Sequence, residues 1–321
     1  MTDDRLLGLH VLDLDGTLLR SDATLGDYAR EGLNALLDAG TALTVASARS
    51  AVAIRELLAG VRLTLPVVEL NGAFRTDLAT GRHLAHATLG PETAAAALDA
   101  LARLAAEPVL TTWDGTADHV LHGPCDDPAT AWYIEEKRAY GDPRLRRCPD
   151  PYAAVAGART AQLVAFVPDA GADAAADALR TALGDTAGVM AAANHYAPGW
   201  TEIQIAHPEA EKGLAVRRLA REAGLDGARL TVYGDHLNDL PMFAVADRAV
   251  APANAHPRVL ARASAVTAPN DEDGIVRYLL DGYLPDGTPA DGHLPDGVVP
   301  GRHLPDGPPP VRHLPDGAPS C

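Results

Sequence analysis

Lysine is nearly missing from this chain: of 27 Lys and Arg residues, only Lys137 and Lys212 are lysines. Serine, with five residues, and asparagine, with six, are scarce as well. In a chain that uses Ala and Arg almost everywhere, a Lys, Ser or Asn stands out as a candidate for chemistry. That directs attention to Lys212, Ser47, Asn71 and Asn238. Aromatic residues make up 4%, so the core implied by 47% hydrophobic residues must be built from Ala, Leu and Val. Three cysteines (Cys125, Cys148 and Cys321) are too few and too widely spaced for a CxxC metal pattern or a disulfide framework. They suit a reducing compartment. No run approaches the ~18 apolar residues of a membrane span, and Met-Thr-Asp-Asp-Arg at the N-terminus has no basic signal-like region. Positive charge is in deficit, at a formal −16, which disfavours nucleic acid and anionic membrane as partners. These absences predict a soluble, cytoplasmic protein. An anionic small molecule could bind only in a locally basic or metal-bearing pocket.

The feature that stands out positively is His10-Val-Leu-Asp-Leu-Asp-Gly-Thr-Leu-Leu19. Asp13 and Asp15 close an apolar run just before a Gly-Thr turn. Residues two apart in a strand point to one face, so the two carboxylates start out aimed at one place. Like charges that close repel unless a cation or a proton relieves them. The pair implies a metal, a catalytic task, or simply a solvated strand end. Matching chemistry at other strand ends of the chain decides between these.

The pattern up to residue 81 alternates strand and helix. Residues 8–14 read as a buried strand, 26–39 as a helix stopped by Gly40, 41–46 as a second strand, 50–59 as a helix, and 65–70 as a third strand ending in Asn71-Gly72. This predicts an α/β fold with a Rossmann-like parallel sheet and helices on both faces. Such sheets bind ligands beyond the carboxyl ends of their strands, where Asp13, Ser47 and Asn71 fall. From 82 to 192 the pattern changes. Helical stretches at 91–106 and 173–183 mix with strand-like pieces at 108–112, 118–122 and 161–167, which predicts an inserted α+β unit. Trp113, Asp114, His119 and Trp132 lie in it without a pattern that assigns them a role. From 193 to 281 the first pattern resumes: a strand at 201–206, a helix opened by Lys212-Gly213, a strand at 230–233 ending in Gly234-Asp235, a short helix at 240–246, a short strand at 247–251, and a final amphipathic helix. Residues 282–321 repeat Leu-Pro-Asp-Gly with a period of ten. Isolated turns bury no core, so the tail is expected to be disordered. Nothing in it names a partner.

Four elements in order, Asp13-Leu-Asp15-Gly-Thr17, Ser47, Lys212 and Gly234-Asp-His-Leu-Asn-Asp239, resemble the motifs of the haloacid dehalogenase superfamily of phosphatases. Glu69-Leu-Asn-Gly72, Glu202-Ile203 and the segment 266–275 match too. The large insert between Ser47 and Lys212 makes the chain resemble the Cof-like subfamily with a type C2 cap. The resemblance spans residues 1 to about 281. It implies a Mg²⁺-dependent phosphatase of small phosphorylated metabolites, sugar phosphates foremost. Asp13 would be the nucleophile that forms an aspartyl-phosphate and Asp15 the general acid and base. The Asp13 carboxylate, the Asp15 backbone carbonyl and Asp235 would hold the metal. Ser47, Lys212 and Asn238 would bind phosphate, Asp239 would orient the metal site from behind, and Asn71 and Gly72 would line the substrate pocket. Two departures are visible: Ala48 stands where the family has Gly, and His236 where smaller residues are common.

Plainer roles stay open at this point. Ser47 and Asn238 could cap helices, and Lys212 could be a surface residue, although a cation at a helix start is mildly unfavourable. A sugar phosphomutase on the same fold is one alternative function. A binding or scaffold protein with a vestigial catalytic core is another.

Overall fold

The computed structural model describes residues 8–139, 141–194 and 196–283. They divide into two compact units. Unit 1 takes the described residues up to Thr88 and from Ala206 onward, and unit 2 takes Leu89–Ile205. The repeat segment beyond Tyr283 lies outside the described residues. Gly282 and Tyr283, placed in the tail by the sequence pattern, are the last residues of a helix.

Unit 1 begins with β1 (Leu9–Leu12), α1 (Asp27–Asp38), β2 (Ala42–Val45), α2 (Ala51–Leu57), β3 (Val67–Glu69), β4 (Phe74–Thr76) and β5 (His83–His86). Unit 2 contains α3 (Pro91–Arg103), β6 (Pro108–Trp113), β7 (Asp118–His122), α4 (Pro128–Ala139), β8 (Leu145–Arg147), α5 (Pro151–Gly157), β9 (Arg159–Pro168), α6 (Ala172–Leu183), β10 (Gly188–Ala193) and β11 (Trp200–Ala206). The last residue of β11 crosses into unit 1, which continues with α7 (Lys212–Glu222), β12 (Leu230–Tyr233), α8 (Leu240–Val245), β13 (Arg248–Pro252), α9 (Pro257–Leu260), β14 (Ala265–Thr267) and α10 (Gly274–Tyr283).

The main sheet of unit 1 runs β14-β13-β12-β1-β2, and every pairing in it is parallel. β1 and β12 are buried at all four positions. Even the polar His10 and Thr231 within them are buried, because helices cover both faces of a parallel sheet. Leu12, Val45 and Tyr233 pack on one face with Leu33 and Leu36 of α1 and Val276 and Leu279 of α10. Leu9, Val11 and Val232 pack on the other with Val216 and Leu219 of α7 and Met242 of α8. Burying each such side chain contributes about 1.5–3 kcal/mol. The pattern-based expectation of a parallel α/β core with helices on both faces therefore describes this unit.

Three boundaries differ from the expectation. The stretch 65–70, read as a third parallel strand, is the three-residue β3. It pairs antiparallel with β4 and touches the main sheet through a single bridge, Ala46 to Val68. The buried Glu69 carboxylate ends it by accepting the Ala51 N–H and the Thr76 hydroxyl. Residues 82–88, placed in the insert, belong to unit 1 because β5 pairs with β4. Residues 193–205, assigned to the resumed core, belong to unit 2. Thr201, Ile203 and Ile205 are buried while the residues between them are only partly so. That period-two pattern marks a strand in a half-covered sheet, and β11 lies between β10 and β9.

Unit 2 is a six-stranded sheet in the order β10-β11-β9-β6-β7-β8. Leu163, Ala165, Ile203 and Ile205 face α3 and α6. The opposite face carries Val164 and Phe166, which pack on Ala129 and Tyr133 of α4. No described helix is long and apolar enough to cross a membrane.

Candidate active site

The carboxyl ends of the parallel strands bring the singled-out residues together. Asp13 follows β1, and its N–H donates to the Tyr233 carbonyl at 2.9 Å, which ties it to the end of β12. Asp235 stands two residues beyond that strand. Lys212 opens α7, although the helix dipole there disfavours a cation. Two carboxylates override the dipole: the Lys212 ammonium donates to Asp13 Oδ1 and to Asp239 Oδ1, each at 2.6 Å. Lys212 is only 1% exposed, so it is not an ordinary surface lysine. Burial by itself would lower its pKa, but the charges of Asp13 and Asp239 outweigh that and raise it.

Asp13, Asp235 and Asp239 offer oxygens that all lie within 4.8 Å of one another. Such crowding is costly. Burial, followed by the charge of Asp239, holds Asp13 well above the usual carboxylate range despite Lys212. The same two causes push Asp235 up to about 7. The donor set is all oxygen, which suits a hard divalent cation. Asp239 is in this cluster by distance, yet its oxygens are engaged: Oδ1 by Lys212, and Oδ2 by the N–H groups of Asp235 and His236, both at 3.0 Å. Asp13 and Asp235 are the acids that can turn to a cation, while Asp239 braces the turn and the lysine. Gly16 has φ +73, and a Cβ there would run into the Asp235 carboxylate. The Asp-Gly-Thr turn needs glycine at this point so that Asp235 can close in, and the Thr17 hydroxyl then donates to Asp235 Oδ1 at 2.9 Å.

Asp15 departs from the expectation that both acids of the pair converge. β1 ends at Leu12, so the strand alternation does not reach Asp15. Its carboxylate takes a bidentate pair from Arg49, with Nε to Oδ2 at 2.7 Å and Nη2 to Oδ1 at 2.8 Å. The Asp15 side chain is 40% exposed. Ser47 is buried, and its Oγ accepts the Arg49 N–H at 3.1 Å. It does not cap the next helix, which begins only at Ala51. Asn71 is buried with φ +54, a left-handed conformation that Asn tolerates. Its Oδ1 accepts from Asn238 Nδ2 at 3.2 Å, so the amide of Asn238 points at Asn71. Gly72 is buried at φ +110, where a Cβ would meet the Glu211 backbone at 2.8 Å.

Three contributors were missed at the level of sequence: Arg49 on Asp15, Thr17 on Asp235, and Asn254, whose Nδ2 donates to the Gly16 carbonyl at 2.8 Å. The rarity of Asn, which pointed to Asn71 and Asn238, also applied to Asn254.

A family model described as haloacid dehalogenase-like hydrolase matches residues 10–279. The chain belongs to that family, as a Cof-like hydrolase. Two curated relatives are similar along most of its length. The 5-amino-6-(5-phospho-D-ribitylamino)uracil phosphatase YitU of Bacillus subtilis is 26% identical over 275 residues, covering 84% of this chain and 96% of the relative. The HMP-PP phosphatase of Cronobacter sakazakii is 29% identical over 264 residues, covering 79% and 86%. Among solved structures, a haloacid dehalogenase-like hydrolase from B. subtilis superposes with a TM-score of 0.71 at 20% identity, covering 85% of this chain and 98% of the other. The likeness in fold thus runs through both units of this hydrolase.

Proposed function

We propose that this hydrolase is a Mg²⁺-dependent phosphatase of small phosphorylated metabolites, sugar phosphates among them, working through an aspartyl-phosphate on Asp13. The observation that carries this reading is the Lys212 ammonium, buried and 2.6 Å from Asp13 Oδ1. It holds one carboxylate oxygen in place and leaves the other oriented for attack on phosphorus. The named activities of the two curated relatives, both phosphatases, support the reaction class.

Asp13, Asp235 and the Asp15 backbone carbonyl would hold the cation, which supplies charge neutralisation at the phosphoryl oxygens. Asp239 and Thr17 fix the orientation of Lys212 and Asp235. Ser47 accepts the Arg49 N–H and keeps its own hydroxyl proton to donate to a phosphate oxygen. The Asn238 amide adds a further donor, with Asn71 and Gly72 beside it in the substrate pocket. Asp15 protonates the leaving oxygen and then takes a proton from the attacking water, and Arg49 sets the plane of its carboxylate through two hydrogen bonds.

The test is phosphate release from a panel of sugar phosphates and other phosphorylated metabolites, with Mg²⁺ and with a chelator. Metal-dependent release of free phosphate is expected. An isomerised phosphosugar without free phosphate would overturn the reading in favour of a mutase, and no conversion of any compound would favour a binding protein.

A further inference from the structure

Glu69 is a buried carboxylate that the proposed reaction does not use. It ends β3 and has no exposed surface. Taking a carboxylate out of water is costly unless its oxygens are bonded, and both of them are. Oε2 accepts the Ala51 N–H, the first of α2, and Oε1 accepts the Thr76 hydroxyl. His83 Nδ1 lies 2.7 Å from that hydroxyl oxygen and 3.3 Å from Glu69 Oε1. Thr76 has one hydroxyl proton and gives it to Glu69, so His83 carries a proton on Nδ1 and donates it inward. Stacking on Phe74, with ring centroids 3.9 Å apart, fixes the His83 ring.

The chain just beyond Glu69 is strained. Leu70, Asn71 and Gly72 have φ of +49, +54 and +110. Glycine takes such values freely and Asn tolerates them, but a buried Leu in the left-handed region is an outlier. Strain of this kind persists only where the surroundings impose it, and it gathers at functional positions.

What the left-handed turn gains is contact with three segments of unit 1 at once. The Asn71 N–H donates to the Ser47 carbonyl at 3.0 Å, and the Leu70 N–H to the Arg49 carbonyl at 3.1 Å. With Ala51 held by the Glu69 carboxylate, three consecutive residues grip every second residue of the stretch 47–51. Gly72 lies against the Glu211 backbone, next to Lys212. Asn71 Oδ1 accepts from Asn238 Nδ2. Ser47, Lys212 and Asn238 are the residues assigned to phosphate, and one turn touches the segment that carries each of them.

We propose that Glu69 is a positioning residue: its carboxylate, braced by Thr76 and His83, holds the left-handed turn 70–72 so that Ser47, Lys212 and Asn238 present one cradle to a phosphoryl group. An apolar side chain at this position would fill the space but leave the Ala51 N–H and the Thr76 hydroxyl without their acceptor, and the stretch 47–51 would come loose from the turn at its α2 end. The identity of the ligand rests on the phosphatase reading, so the brace is tested with inorganic phosphate as well as by turnover.

The full chain with Mg²⁺ is titrated with inorganic phosphate by calorimetry, amide exchange is followed residue by residue, and turnover is measured on any compound that releases phosphate. Saturable phosphate binding is expected of the unaltered protein. Glu69→Leu, shown to be folded by unchanged exchange in β1 and β12, should exchange faster at Ala51, Leu70 and Asn71. It should bind phosphate about tenfold more weakly, the value of one hydrogen bond to a charged group. Its kcat should fall roughly a hundredfold, as a misplacement of about 1 Å produces, with a smaller change in KM. Glu69→Gln should recover most of both: its carbonyl keeps Ala51, its amide donates to Thr76, and the Thr76 hydroxyl turns to His83 Nδ1. Thr76→Val is the second variant should Glu69→Leu not fold; it removes one support of the carboxylate and should weaken phosphate binding, and Thr76→Ser should restore it. A merely structural Glu69 would lower the thermal midpoint and leave phosphate affinity and kcat of the folded variants unchanged. That result overturns the inference, as does a Glu69→Gln protein as impaired as Glu69→Leu. Phosphate binding that Glu69→Leu weakens, in a protein that turns over no compound, would leave the brace standing and remove the phosphatase reading. Full turnover by folded Glu69→Leu would do the reverse. An unaltered chain that neither binds phosphate nor releases it would remove both.

Discussion

Replacing Lys212 by Met should cost this protein both stability and turnover, and the size of the loss comes from the burial of the ammonium. The side chain is 1% exposed and donates to two carboxylates at 2.6 Å. Removing one partner from a buried ion pair leaves an uncompensated charge and costs about 3–5 kcal/mol. For unit 1 that lowers the thermal midpoint by on the order of 10 °C. The pH dependence has a definite sign. The pKa of Lys212 is raised in the folded protein. Its contribution is therefore complete below its unfolded pKa and is lost only as pH rises through the folded one, so it is constant across the neutral range. In the variant, Asp13 keeps its burial and loses its counter-charge. The Asp13 pKa, already raised in the unaltered protein, then rises further, so the folded variant keeps this proton to higher pH and loses more stability than the unaltered protein as pH rises. Urea denaturation at about pH 5 and about pH 8 should show the larger deficit at the higher pH. A deficit under about 1 kcal/mol, the value of an exposed pair, would refute the reasoning, as would equal deficits at both pH values.

The acids themselves predict a metal effect. Burial, then the charge of Asp239, raises Asp13 and also brings Asp235 to about 7. Protons on these groups stabilise the folded state at low pH, and that help is lost as pH rises toward the folded pKa values. A divalent cation competes for the same oxygens, so added Mg²⁺ should raise the thermal midpoint more at about pH 8 than at about pH 5. Equal shifts, or none, would contradict the assignment of Asp13 and Asp235 as ligands. Gly16→Ala combines an unfavourable φ of +73 with a Cβ directed into the Asp235 carboxylate. It should cost about 1–3 kcal/mol of stability, and displacement of Asp235 should lower kcat roughly a hundredfold. Unchanged kcat in a folded Gly16→Ala protein would show that the close approach has no role in turnover.

The parallel core was legible because its strands are covered on both faces. Leu9, Val11 and Leu12 are apolar around a buried His10, and the strand is followed at once by an acid. The lysine was legible through composition, since a chain with two lysines makes each one conspicuous. Residues 82–88 and 193–205 went to the wrong side of the unit boundary for a common reason. Neither β5 nor β11 is covered on both faces, so neither announces its sheet by an apolar run, and only the partner strand decides its place. The site was legible to the level of which residues meet, through strand ends. It was not legible to the level of which atom each one holds. Asp15 and Arg49 are 34 positions apart, and nothing in their local patterns announces a bidentate pair. Asp239 engages both carboxylate oxygens within the fold, which spacing alone cannot distinguish from a metal ligand.

Asp13 is the group that receives phosphate in the proposed reaction, and every other role in the site depends on it. The most direct measurement is acid quenching of the working enzyme with a labelled substrate, then peptide mapping of the trapped phosphate. The phosphate should be found on Asp13, and Asp13→Asn should fold, trap none and turn over nothing. Label on another residue, or substantial turnover by folded Asp13→Asn, would contradict the assignment.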